Sequence, residues 1–294
     1  MAGLKAFLGV ARAPFLLLPF TLVASGAAAG AYADSVHWGR TILALVGLLA
    51  LHAAVNAFNE ASDMRTGIDL RTRRTPFSGG SGTLPAGRMS PRTAFLFALA
   101  VSGVGLAIGL VLLFESGPVL LPILVLGAVF VLSYTDLLAR SGVGELAAGL
   151  GLGALPVLGT AIVQAGRIEP EAVAAAVPAF FMTFNLLLLN EFPDEKADQE
   201  GGRRNLVLLM GRKGAALIYV AAAILTPASI AVAVVAGALP PLCLLGILPS
   251  MLLVPPFRWA LGDRAGEVPI PALGANVAWN LLTNLTVAAA LAFS

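Results

Sequence analysis

Thr41-Ile42-Leu43-Ala44-Leu45-Val46-Gly47-Leu48-Leu49-Ala50-Leu51-His52-Ala53-Ala54-Val55-Asn56-Ala57-Phe58-Asn59-Glu60-Ala61-Ser62-Asp63 is the stretch on which the reading of this chain turns. From Thr41 to Asn59 it holds no acidic residue, lysine or arginine, and its apolar side chains run on without the alternation of a half-buried strand. About 20 such residues cross the hydrocarbon core of a bilayer as one helix. Glu60 and Asp63 then follow directly. A charge is costly in lipid, so these acids mark a helix end that leaves the hydrocarbon or faces a cavity built by other helices.

Eight further runs share this character, and together the spans are expected near 13–33, 38–59, 93–114, 117–137, 143–164, 172–192, 214–237, 240–260 and 270–292. Pro240-Pro241 divides the seventh from the eighth. Only 12% of the 294 residues are charged, against about 25% in soluble domains, and the mean hydropathy is +0.90. Lipid admits only helices or closed barrels, and continuous apolar runs predict helices. The expected fold is an all-α membrane protein, nine transmembrane helices around a central cavity, forming one domain over residues 1–294. Lys5 and Arg12, with Ala31-Tyr32-Ala33 after the first run, also have the layout of a removable signal. The length of that run favours a retained span. Cys243 is the one cysteine, so neither a disulfide within the chain nor a thiolate metal site is expected. A net charge of +2 gives no reason to expect a nucleic-acid partner.

With the N-terminus in the cytoplasm, all the Lys and Arg except Arg40 and Arg167 fall in cytoplasmic segments, Arg264 near the last span among them. The positive-inside rule then sets the topology, with the C-terminus outside. The acids gather on the same side, mostly in two long loops, near 60–92 and 193–213. Long loops in a compact protein are usually functional. Each follows an even-numbered helix, four helices apart, which implies a parallel repeat of two four-helix units plus one helix.

Each loop opens on a carboxylate motif. In the first, Asn59 and Asp63 share a helix face, with Glu60 three residues before Asp63 and Asp69 beyond Gly67. In the second, Asn190, Asp194 and Asp198 recur every four residues, and Pro193 is expected to kink the helix or start its extension. Clustered, partly dehydrated carboxylates need positive charge beside them. Mg²⁺ is the natural candidate, because it takes oxygen ligands from a few carboxylates together with substrate phosphates. Arg71, Arg73, Arg74, Lys196, Arg203 and Arg204 lie beside the acids; phosphate binding and simple topology both account for them. Ser78-Gly79-Gly80-Ser81-Gly82 reads either as backbone that approaches a phosphate or as a flexible linker.

These motifs resemble those of the UbiA superfamily of intramembrane prenyltransferases, which has nine transmembrane helices and two Asp-rich motifs. Asn59, Glu60 and Asp63 match the first motif, with Glu60 in place of an Asp and the third acid displaced to Asp69; Asp194 and Asp198 match the second, with Asn190 one turn earlier. Gly202-Arg203-Arg204-Asn205-Leu206 and Gly211-Arg212-Lys213 resemble elements that follow it. Arg12 and Pro14 resemble a first-helix element interrupted here by Ala13. Arg74-Thr75-Pro76-Phe77-Ser78-Gly79-Gly80 and Tyr134-Thr135 have counterparts as well. Gly142-Val143-Gly144-Glu145 and Leu158-Gly159-Thr160 with Gln164 are similar to the 1,4-dihydroxy-2-naphthoate polyprenyltransferase branch.

The resemblance implies Mg²⁺-dependent transfer of a prenyl group from a prenyl diphosphate donor to a small aromatic acceptor, in contact with membrane lipid and at the cytoplasmic side. It implies catalytic roles for Asp63, Asp194 and Asp198, and metal ligation by these with Asn59, Glu60 and Asp69. It implies substrate contacts from Asn59, Arg12, Arg74, Tyr134, Asn190, Lys196 and Arg204. A terpene cyclase on the same fold is the near rival, since it ionises the same donor but needs no acceptor; prenyl transfer to a glycerol phosphate is a further option. A secondary transporter is the rival of a different class; its polar groups belong at the midplane of inverted repeats, whereas these acids lie at helix ends in a parallel repeat. His52 reads as a helix-packing histidine and His37 as interfacial. Glu145 and Asn185 are polar groups in apolar surroundings that suit either orientation of an acceptor ring or bonds between helices.

Overall fold

A computed structural model describes residues 3–32, 34–262 and 266–294. Ala33 and Arg264 lie outside the described residues. Among those described, every regular element is helical. Eight helices are long and apolar enough to cross a membrane: α1 Ala13–Gly30, α2 Trp38–Thr66, α3 Pro91–Ser116, α5 Gly144–Ala165, α6 Pro170–Glu191, α7 Leu206–Val235, α8 Pro241–Leu261 and α9 Ile270–Ala292. Between α3 and α5 lies a shorter apolar helix, α4, Pro118–Ser133. It falls within the expected 117–137 span, but regular helix stops at Ser133 and turns follow. Sixteen residues rise only about 24 Å, short of a hydrocarbon core about 30 Å thick.

The spans pack against one another in the bundle. α2 lies along α3 and α6 along α7, while α1 touches both α5 and α9 and α6 also meets α9. α1 is a packed member of the bundle, with Leu22 and Val23 buried. Small residues let these helices close up, as they must where lipid supplies no hydrophobic drive between helices. A Cβ on Gly26 of α1 would stand 2.5 Å from the Val157 carbonyl of α5. Pro156 carries no N–H for the helix ladder, and α5 widens to a π-turn at Leu150–Ala154 just before it. The outer faces of α3, α4 and α8 are apolar and exposed, with Leu106, Val125 and Met251 among the uncovered side chains. That is the surface of an integral membrane protein.

α2 and α6 finish at the same end of the bundle. Each is followed by a short helix, Ile68–Arg71 after α2 and Glu195–Glu200 after α6, and these two pack together. Ile68 sits where a side chain on Gly201 would have to go, and Arg71 pairs with Glu200 at 3.4 Å. The opposite end holds Arg40, paired with Glu115 at 3.6 Å.

Candidate active site

The end of α2 is helical through Thr66, so Asn59 and Asp63 do share a face: Asn59 Nδ2 donates to Asp63 Oδ2 at 2.9 Å. Gly67, at φ +80°, ends that helix and turns the chain so that buried Asp69 comes back beside it. The second motif breaks where Pro193 requires. α6 ends at Glu191, a turn runs to Asp194, and Glu195–Glu200 carries Asp198. Both motifs open into one cavity of about 230 Å³, lined by Arg12, Asn59, Asp63, Asp69, Tyr134, Asn190, Asp194 and Asp198.

The glycine loop is tied to both motifs by part of its donors, and Ser78, Gly79 and Gly80 line the cavity. The Gly79 N–H donates to Asp194 Oδ2 at 3.0 Å, and Thr72 Oγ1 donates to Oδ1 of the same carboxylate. Ser81 donates twice to Glu60, from its N–H to Oε1 at 2.6 Å and from Oγ to Oε2 at 2.7 Å. Gly80, at φ +71°, leaves no room for a side chain, since a Cβ would stand 2.5 Å from Asp69 Oδ1.

Arg203 supplies the positive charge. Its Nη2 lies 2.6 Å from Asn59 Oδ1 and 2.6 Å from Asp63 Oδ1, and its Nε lies 3.6 Å from Asp198 Oδ1. Burial alone pulls the guanidinium pKa down, but Asp63 and Asp198 outweigh it and hold the group firmly protonated. Arg12 adds a second guanidinium. Its backbone is left-handed, φ 51°, an uncommon conformation for Arg, and Asn56 Nδ2 fixes the preceding carbonyl of Ala11 at 2.9 Å. The carboxylates stay short of positive charge even so. Burial pushes Asp198 up to about 7, with Arg203 opposing and Asp194 and Asp63 adding to the rise. Burial, then Glu60 and Asp63, push Asp69 up to about 8. Asp194 is raised by burial too, less the hydrogen bonds from Thr72 and Gly79.

Four of the site residues that the resemblance implies do not line the cavity: Glu60, Arg74, Lys196 and Arg204. Glu60 is spent on Ser81, and Arg74 holds the Asp69 carbonyl at 2.7 Å from an exposed position. Lys196 and Arg204 are exposed; for Arg204 it is the neighbouring Arg203 that turns inward. Asn185 and Glu145 also stay outside. Asn185 Nδ2 bonds the Tyr219 carbonyl at 2.9 Å, and Glu145 Oε1 takes the first N–H of α7, that of Leu206, at 2.5 Å. Deeper in the cavity three buried groups have no hydrogen-bond partner among the described residues: His52 Nε2, Thr183 Oγ1 and Asn280 Nδ2. Thr183 and Asn280 carry no sequence signal beyond being polar in apolar runs, whereas Glu191, whose buried Oε2 is also unpartnered, follows Asn190 as Glu60 follows Asn59.

Residues 17–293 match the profile of the UbiA prenyltransferase family. The chain is 28% identical to a 1,4-dihydroxy-2-naphthoate octaprenyltransferase of Mycobacterium tuberculosis over 297 aligned residues, covering 100% of this chain and 99% of that protein. It is 29% identical to the protein of the same name from Bacillus subtilis over 180 residues, 60% of this chain and 57% of that protein. Among solved structures, a UbiA homolog from Archaeoglobus fulgidus bound to GPP and Mg²⁺ superposes with a TM-score of 0.70 at 14% identity, covering 98% of this chain and 100% of that one. The apo structure of a UbiA homolog from Aeropyrum pernix K1 gives 0.70 at 19% identity, covering 92% and 96%. At these identities the structural likeness speaks for the fold.

Proposed function

The chain belongs to the UbiA prenyltransferase family, and from that premise we propose that it transfers a prenyl group from an isoprenoid diphosphate to an aromatic acceptor of the quinone-pathway type, using Mg²⁺, within the membrane. The observation that carries this reading is that Asp63, Asp194 and Asp198 meet Arg12 and Arg203 at a cavity whose remaining wall includes Leu152, Leu186 and Leu187. A prenyl diphosphate has the same two halves, an anionic head and an apolar chain. The names of the relatives and the GPP bound by the Archaeoglobus homolog support the donor and the acceptor class. The segregation of Lys and Arg supports a cytoplasmic mouth for the site.

The donor set suits Mg²⁺. It is all oxygen, and Asp69 Oδ2 is buried with no partner among the described residues. Among those residues no three acids, histidines or cysteines form a cage by themselves. An Mg²⁺ ion here would take ligands from substrate phosphates as well as from the carboxylates. Asp63, Asp194 and Asp198 would hold it, with Asn59 and Asp69 beside them, while Glu60 steadies the Ser81 loop. When bound, Mg²⁺ neutralises charge that builds on the leaving diphosphate.

Arg12 and Arg203 bind the diphosphate oxygens through charge-assisted hydrogen bonds. The C1–O bond breaks with its electron pair going to the diphosphate, and an allylic cation remains. The leucines around it exclude water that would quench the cation. His52, Thr183 and Asn280 orient the polar substituents of the acceptor. A ring carbon attacks C1, and aromaticity returns as that carbon releases its electrofuge, a proton where it bears hydrogen. The test is purified protein with Mg²⁺, prenyl diphosphates of several lengths, and 1,4-dihydroxy-2-naphthoate or a similar phenol. The expected result is prenylated ring and diphosphate in equal amounts, dependent on the phenol. A cyclic hydrocarbon or alcohol formed without acceptor, with phenols never incorporated, would replace transfer by cyclisation.

A further inference from the structure

The face of α2 turned away from Asp63 borders a second pair of recesses. One, of about 320 Å³, lies where the ends of α2 and α4 meet the start of α3, and is lined by Ser62, Arg65, Arg92, Phe95, Thr135 and Asp136 among others. The other, of about 240 Å³, runs between α2, α3, α4 and α5 and is almost wholly apolar, with Leu51, Gly103, Gly105 and Gly127 on its walls. Val131 and Leu132 line both, so the polar recess and the apolar slot adjoin.

The polar recess has more positive charge than its own acid uses. Asp136 is held by Arg65 at 3.0 Å and by Ser62 Oγ at 2.6 Å, while Arg92 makes no ion pair among the described residues. Arg65, Arg92 and Asp136 together leave one positive charge, which a single phosphodiester would balance. Arg92 stands in the first turn of the 26-residue α3, where the helix dipole also favours an anion. Thr135, only 7% exposed, also lines this recess.

The apolar slot has open room beside two of its glycines. Packing accounts for Gly105, whose Cβ would stand 2.5 Å from Leu51 Cδ2. It does not account for Gly103 and Gly127, where an added Cβ meets nothing within 4 Å. Both glycines lie in helices, where Gly is disfavoured by about 1 kcal/mol against Ala. α4 is short for the membrane, and the outer faces beside the slot, Leu106 and Val125 among them, are exposed and apolar. Lipid is therefore the molecule at hand.

We infer that these adjoining recesses bind one anionic phospholipid of the surrounding bilayer, its phosphate at Arg92 and Arg65 and an acyl chain along the slot past Gly103 and Gly127. Basic pockets between transmembrane helices hold acidic headgroups in this way. A zwitterionic lipid brings its own cation, for which the recess offers only Asp136, already bonded by Arg65 and Ser62.

The experiment is native mass spectrometry of the detergent-purified full chain, titrated with phosphatidylglycerol, with phosphatidylcholine of the same chains, and with inorganic phosphate. One phosphatidylglycerol is expected to stay bound at collision energies that strip phosphatidylcholine, and inorganic phosphate is expected not to displace it. Arg92→Gln should weaken retention about fivefold, the scale of one basic side chain at a lipid surface. Gly127→Leu and Gly103→Leu should abolish it by filling the slot, with the melting temperature of the lipid-free protein not lowered. Equal retention of the two lipids, displacement by inorganic phosphate, or unchanged binding in Arg92→Gln and both glycine variants would each overturn the assignment.

Discussion

Arg203 Nη2 lies 2.6 Å from Asp63 Oδ1 and 2.7 Å from Oδ2, so a residue of the second polar loop neutralises the carboxylate that belongs to the first. The pair is buried, and Asp198 shares the same guanidinium. Removing one partner of a buried pair strands the other, at a cost of about 3–5 kcal/mol. Arg203→Gln should therefore lower the melting temperature of the metal-free protein strongly, and Mg²⁺ should restore part of the loss by supplying a cation to the same acids. Arg204→Gln, at an exposed position, should change stability by no more than about 0.5 kcal/mol. Equal melting curves for the two variants would remove Arg203 from the centre of the site.

Chelation tests the carboxylates themselves. Prenyl transfer should vanish in EDTA and return with Mg²⁺. Asp63→Ala and Asp194→Ala should each lose at least about 100-fold in turnover, the usual scale for one strong electrostatic stabiliser. Full turnover in either folded variant means that the acid neither holds the metal nor faces the diphosphate.

The helices and both acid motifs were legible because lipid punishes polarity so heavily that Asp63 and Asp194 stand out at the ends of their runs. The choice between Arg203 and Arg204 was not legible. Adjacent residues point to different sides, and which one turned inward was set by the turn at Gly201-Gly202 after Glu195–Glu200. Thr183 and Asn280 were hidden for a related reason. A polar side chain within a span looks the same whether it bonds a neighbouring helix, as Asn185 does, or faces a cavity. The length of α4 was overestimated because apolarity continues past Ser133 into turns, so hydropathy could not mark where the helix stops.

Gly80 gives a steric test of the loop that joins the motifs. Alanine there must adopt φ near +71° and place its Cβ against Asp69 Oδ1. The left-handed conformation alone costs about 1–2 kcal/mol, and relieving the contact means moving the loop that bonds Asp194 through Gly79. Gly80→Ala should thus cut turnover at least about tenfold, since about 1.4 kcal/mol is a factor of ten in rate. Gly87→Ala, also at positive φ (+68°) but with open space around it, separates the two effects. It should carry the backbone strain and leave turnover within about twofold, well under that 1.4 kcal/mol step. If both variants keep full turnover, the loop does not position the acids.

The raised carboxylates predict how metal binding depends on pH. In the metal-free fold Asp198 stands at about 7 and Asp69 at about 8, chiefly through burial, against about 3.9 for an unfolded Asp. Raised folded values mean that the folded chain keeps protons which the unfolded chain has already released. Their contribution to stability is therefore complete below about pH 4 and is lost as pH rises to about 7–8. Mg²⁺ binds the charged form, so it must displace those protons, and its affinity rises across the same upper window. The difference in melting temperature between Mg²⁺-loaded and EDTA-treated protein should be small near pH 6, grow through pH 7 and level off above about pH 8. Calorimetric titration with Mg²⁺ in buffers of different ionisation enthalpy should show proton release near pH 6.5 that disappears near pH 9, where the carboxylates are already charged. An Mg²⁺-induced shift that is the same at pH 6 and pH 8.5, with no proton release at either, would mean that the ion does not bind these acids.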